Sequence, residues 1–151
     1  MIAASQNARE SMRPFDRISW LATWPGCALS ETKLRQARLR RVFGLDWRAA
    51  LPKLERQALL RYHRYLSTQL SFPFDARYFD EHEGAVCDNR ITVARLVDVD
   101  ECLRDPRAGI QCEVLACGHP VWIRLDELRL GDRSPAQEAI DDYRAWFHAQ
   151  R

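Results

Sequence analysis

The residues of this 151-residue chain best suited to chemistry are carboxylates, and they crowd into its second half. Asp98, Asp100, Glu101 and Asp105 share the stretch DVDECLRDPRAG, Asp126 and Glu127 follow, and Asp141 and Asp142 adjoin near the C-terminus. Clustered carboxylates suit a hard divalent cation such as Ca²⁺, which takes roughly six to eight oxygens at about 2.3–2.6 Å. The stretch opens like an EF-hand, with Asp98-x-Asp100, and then departs from one. Cys102 stands at the fifth position, Leu103 where the turn glycine belongs, and Gly109 in place of the closing Glu. On composition alone, a solvated acidic surface is the plainer reading.

Other chemistries have less behind them. Cys112-x4-Cys117-x-His119 sets two thiols and an imidazole near one turn, but structural zinc wants four N or S ligands, commonly as two close pairs. The second pair is missing, so zinc is not expected. The cysteines are five (Cys27, Cys87, Cys102, Cys112 and Cys117), an odd number that argues against a disulfide framework. The chain has no glycine-rich phosphate loop, no G-x-S-x-G elbow and no H-E-x-x-H. His63, His82, His119 and His148 lie far apart in sequence. A non-enzymatic role is expected. No run approaches the roughly 18 apolar residues of a membrane span, and MIAASQNARESMRPFDR lacks the apolar centre of a signal peptide. The expected location is the cytoplasm, with no membrane partner.

The formal charge of +2 conceals an asymmetry. Residues 1–71 carry thirteen Lys/Arg against five Asp/Glu, a net of +8, and residues 72–151 carry ten against sixteen, a net of −6. Lys33, Arg35, Arg38, Arg40 and Arg41 concentrate the positive charge on TKLRQARLRRVF. That surface offers an alternative function, docking an acidic protein or a nucleic acid. Equally, the two halves can attract each other.

These groups need elements to position them. TKLRQARLRRVF has helical spacing, with Leu34, Ala37 and Val42 or Phe43 available for burial, and Gly44 stops it. Asp46 suits an N-cap for WRAAL, and Pro52 suits the opening of a longer helix ending near Leu70. Leu59, Tyr62, Leu66 and Leu70 form its apolar stripe. Pro73 forces Phe72 out of the helical region, so the helical half meets the β half at Phe72 and Phe74. Strands are expected at FPFDARYF, RITVARLV, GIQCEVLA and VWIRL, with a polar excursion turning at Gly84 and a loop over residues 98–109. Ile91 and Val93 should share one face of the second strand, and Ile110, Cys112 and Val114 one face of the third. Ser134-Pro135-Ala136-Gln137 is a capping box. The helix it opens buries Ala139, Ile140, Tyr143, Trp146 and Phe147 and leaves Glu138, Asp141 and Asp142 off the stripe. The fold class is α+β: a small, strongly bent antiparallel sheet or SH3-like barrel flanked by helices at both ends. Residues 1–45 read as a basic, partly helical extension and 46–151 as the domain.

The order of short signatures resembles the small bacterial calcium-binding proteins of the CcbP-like family. The matching stretches are Tyr65-Leu66, Leu70-Ser71-Phe72-Pro73-Phe74-Asp75-Ala76, Gly109-Ile110-Gln111-Cys112-Glu113-Val114, Leu125-Asp126-Glu127-Leu128 and Asp142-Tyr143-Arg144-Ala145-Trp146-Phe147. The resemblance spans about Asp46 to Phe147. It implies Ca²⁺ binding, as a buffer or sensor, through surface acids: Asp75, Asp98, Asp100, Glu101, Asp126 and Glu127, with Asp141 or Asp142 secondary. Arg77, Arg95, Arg124 and Arg129 flank those acids and are placed to pair with them.

Overall fold

A computed structural model describes residues 30–78, 89–102, 105–116, 119–131 and 134–151. Trp20, Leu21, Trp24, the turn expected at Gly84, and Cys27, Cys87 and Cys117 lie outside the described residues. Helix α1 (Glu31–Phe43) and helix α2 (Arg56–Gln69) lead into strands β1 (Phe74–Tyr78) and β2 (Asn89–Leu96). A one-turn helix α3 (Val99–Cys102) and a 3-10 turn (Pro106–Ala108) follow, then β3 (Gln111–Ala116) and β4 (His119–Arg124). A second 3-10 turn (Leu125–Glu127), the short β5 (Leu128–Arg129) and helix α4 (Pro135–Ala149) complete the order.

The five strands are antiparallel neighbours in the order β4-β3-β2-β1-β5. The sheet is open between β4 and β5, so the bent-sheet form of the expectation holds and the closed barrel does not. The bend follows from chain length. In a flat sheet β4 and β5 would stand about 19 Å apart, four strand spacings of roughly 4.8 Å. Arg124 and Leu128 are four residues apart, a reach of about 14 Å at full extension, and the intervening residues form a compact 3-10 turn. The sheet must curl to bring Leu128 beside Tyr78.

The concave face and the three long helices enclose one hydrophobic cluster, in which Leu59, Tyr62 and Leu66 of α2 meet Ile140, Tyr143, Trp146 and Phe147 of α4. Tyr62 is at its centre. Its ring stacks on Trp146 at 5.8 Å and meets Phe43 edge-on at the same separation, while its hydroxyl donates to the Ala139 carbonyl at 3.1 Å. Burial pushes the Tyr62 phenol well above its ordinary pKa. Leu39 and Phe43 dock α1 into the same cluster, whereas Leu34 is exposed. The one-turn spacing of Leu39 and Phe43, closed by Gly44 at φ 63°, sets the buried face.

Three local expectations change. The long helix begins at Arg56, and Pro52 instead offers its carbonyl to Trp146 Nε1 at 3.0 Å. WRAAL forms a single turn closed by Ala49 N–H on the Asp46 carbonyl, not a helix. On β2 the alternation breaks at a bulge between Val93 and Arg95, which puts Val93 and Leu96 inside and Arg95 outside. Ile110, Cys112 and Val114 are fully buried, as their shared face requires.

Candidate functional site

Backbone bonds at one end of the sheet decide where the acids go. Val97 N–H donates to Gln111 O and Leu125 N–H to Ile110 O, both at 2.9 Å. The β2–β3 connection, with Asp98, Asp100, Glu101 and Asp105, therefore leaves the same end as the 3-10 turn bearing Asp126 and Glu127. Gly109 and Ile110 link this end to α4, because Ile110 N–H donates to the Tyr143 hydroxyl at 2.8 Å.

The acids divide by burial. Asp126 and Asp142 are the buried charged residues among those described. The 3-10 turn carries Asp126 inward against α4, where Arg124 Nε donates to Oδ1 at 3.0 Å and its Nη2 bonds Oδ2. His148 Nε2 lies 3.0 Å from the same Oδ2. Asp142, expected off the apolar stripe of α4, is beneath α1. Arg38 Nε donates to its Oδ2 at 2.6 Å and Arg38 Nη2 to its Oδ1 at 2.9 Å, with Arg35 Nε 3.3 Å away. These hydrogen bonds raise the pKa of Arg38 and Arg124 above the usual arginine value. Asp141 is bound by Arg144 Nη1 and by Gln137 Nε2.

The remaining acids face solvent. Asp98 Oδ1 accepts from Asp100 N–H at 3.0 Å, and Asp105 Oδ1 accepts from Arg107 N–H at 2.9 Å to cap the first 3-10 turn. Asp100 pairs with Arg56 at 2.8 Å, both side chains largely exposed. Glu101 is exposed. Asp75 is across the β1–β2 ladder from Thr92, which donates to it at 2.9 Å, and does not join the group at the sheet end. Among the described residues no three His, Cys, Asp or Glu side chains converge closely enough to hold a metal ion.

A polar cleft of about 580 Å³ opens where β4, the second 3-10 turn, β5 and α4 meet, and Asp126, Glu127 and Asp141 contribute to its walls. Arg144, pointing in from α4, donates from Nε to the Asp126 carbonyl at 2.7 Å and from Nη2 to the Leu128 carbonyl. Arg129 Nη1 reaches the same two carbonyls at 3.2 and 3.1 Å.

The family model described as calcium binding, of CcbP type, matches residues 53–147. The chain belongs to the calcium-binding CcbP family. The crystal structure of Anabaena CcbP is similar at 19% identity, covering 83% of this chain and 96% of that one, with a TM-score of 0.53. A structure of a calcium-binding protein in its calcium-binding form is similar at 19% identity, covering 82% and 96%, with a TM-score of 0.56. No curated protein matches the chain.

Set against a CcbP-family ion, the donors divide as the acids do. The cleft carboxylates Asp126 and Asp141 already serve arginine, and they do not fit a resident calcium. The acids of the β2–β3 connection are exposed, and Asp98, Asp100 and Asp105 each have one carboxylate oxygen engaged by a local donor. Pairing by Arg124 was legible from sequence position, since it stands two residues before Asp126. The parts played by Arg144, Arg35 and Arg38 were not read. The i, i+3 spacing of Asp141 and Arg144 was the available signal for the first.

Proposed function

We propose that this chain is a non-enzymatic Ca²⁺ buffer or sensor whose ion is held mainly by Asp98, Asp100 and Glu101. Membership of the calcium-binding CcbP family carries the reading. The energetics select among its acids. Freeing Asp100 from Arg56 costs about 0–1 kcal/mol, as for an exposed pair. Uncovering a buried carboxylate such as Asp126 is far more costly, about 3–5 kcal/mol where both partners are fully buried. Ca²⁺ therefore recruits the solvent-facing acids first, with Glu127 and Asp75 further candidates. Among the described residues no helix is long and apolar enough to cross a membrane. We place the protein in the bacterial cytoplasm, where a reduced thiol such as Cys112 persists.

Docking of an acidic protein or nucleic acid through α1 is less well supported. Of the five basic residues, Arg35 and Arg38 turn onto Asp142 and Arg40 onto the Ala49 carbonyl, which leaves Lys33 and Arg41 on the exposed side. Isothermal titration of the full chain with Ca²⁺ tests the leading reading. Saturable binding that Asp98→Asn with Asp100→Asn abolishes, and that Mg²⁺ reproduces poorly, is the expected result. Silence up to about 5 mM Ca²⁺, beyond the weak end of protein sites, would overturn it.

A further inference from the structure

On the reading that Ca²⁺ is held by Asp98, Asp100 and Glu101, we propose that Arg56 competes with the ion for Asp100, and that the ion's entry unfastens the first turn of α2. Two side chains on one face of α2, Arg56 and His63, stand about two helical turns apart and hold the β2–β3 connection. His63 Nε2 lies 2.9 Å from the Val97 carbonyl at the root of the connection. Arg56 Nη2 donates to Asp100 Oδ1 at 2.8 Å further along it. The guanidinium and the ion therefore claim the same carboxylate.

The end of α2 concerned is weakly capped. Its N-cap is Glu55, whose side chain makes no capping hydrogen bond, and its first turn contains no acid. Arg56 opens the helix and so places a cation at the positive pole of the helix dipole, where a carboxylate is favoured. Asp100 supplies that negative charge from the β2–β3 connection. A dication on Asp100 withdraws it and sets further positive charge beside Arg56, so the guanidinium is both released and repelled. The His63 contact is spared this exchange, because its partner is a neutral carbonyl. The root of the connection stays on α2 while the tether at Asp100 opens.

Calorimetric Ca²⁺ titration of the full chain tests the competition, at about 0.1 M salt, where charges beyond roughly 10 Å are largely screened. Arg56→Gln should tighten the ion about two- to fivefold, the scale of an exposed ion pair. Arg107 is an exposed cation of the same connection that meets Asp105 through its backbone N–H. Arg107→Gln should leave the affinity within about 1.5-fold. Amide hydrogen exchange reads the unfastening at Leu59, whose N–H donates to the Glu55 carbonyl at 3.0 Å. Saturating Ca²⁺ should speed Leu59 exchange about twofold or more in the wild type, and not in Arg56→Gln, whose first turn already lacks the tether. Ligand binding that merely stabilises the native state slows exchange, so the sign is diagnostic. Saturable wild-type binding with an unchanged Kd in Arg56→Gln would overturn the proposal while the calcium reading stands. An equal gain from Arg107→Gln, or Leu59 exchange that Ca²⁺ leaves unchanged or slows, would do the same. No binding by the wild type and by Arg56→Gln alike would overturn both.

Discussion

Replacing Gly109 with alanine tests the joint that holds the acidic connection against α4. Gly109 has φ 73° and ψ −169°, a backbone region open essentially to glycine alone. A Cβ there would lie 2.7 Å from the Tyr143 hydroxyl and 2.8 Å from Phe147 Cζ. Neither neighbour can retreat cheaply. The Tyr143 ring is fully buried and its oxygen receives the Ile110 N–H, while the Phe147 ring stacks on Tyr143 at 5.4 Å. The backbone conformation costs about 1–3 kcal/mol and overpacking a similar 1–3 kcal/mol. The sum, roughly 2–6 kcal/mol, is a large share of the ~5–15 kcal/mol that holds a typical domain.

Urea unfolding monitored by tryptophan fluorescence reads the loss as a lower midpoint at unchanged slope. A cycle with Tyr143→Phe separates the two causes. Deleting the hydroxyl removes the 2.7 Å clash but strands the buried Ile110 N–H, at about 1–3 kcal/mol. In that background Gly109→Ala should cost less by about 1 kcal/mol or more. A loss under 1 kcal/mol for Gly109→Ala in the wild-type background would refute the described conformation and packing.

Asp142→Asn should destabilise the protein by about 2–3 kcal/mol, less than the 3–5 kcal/mol of a fully buried pair because Arg38 is partly exposed; equilibrium unfolding measures it, and calorimetric Ca²⁺ binding should be unchanged. The raised Tyr62 pKa makes stability sensitive to alkali. The contribution is complete below pH ~10, where unfolded tyrosine is also neutral. It falls as pH rises further, because only the unfolded state then releases the proton, by about 1.4 kcal/mol per pH unit. Denaturant midpoints between pH 9 and 11 check it, and Tyr62→Phe should flatten the decline.

Legibility in the sequence followed the kind of force at work. The stripes of α2 and α4 and the Ile110/Cys112/Val114 face were readable because burial repeats at the period of the element. The β2 bulge was not, since one inserted residue shifts the pattern without a compositional mark. The 98–109 stretch reads as a loop because a one-turn helix and a 3-10 turn are too short to show a period. The site was less legible still. Asp142 is one residue from Tyr143 and polar, which reads as exposed, and only the approach of α1 makes its burial tolerable. A partner 104 residues away leaves no local signature.

That approach also explains where the charge asymmetry goes. The positive first half and negative second half meet across the fold: Arg38 and Arg35 reach the buried Asp142, and Arg56 reaches Asp100 at the surface. The buried pairs fix α1 on α4 more than they add net stability, since desolvation offsets most of their attraction. The buried Asp142, so used, is withdrawn from ion binding, whereas the exposed Asp100 is not. What stays open to Ca²⁺ is a set of exposed side chains on a short connection, which must be ordered as the ion binds, and that ordering subtracts from affinity. A chain built this way should bind calcium weakly, and more weakly than a relative whose acids are spared by its arginines.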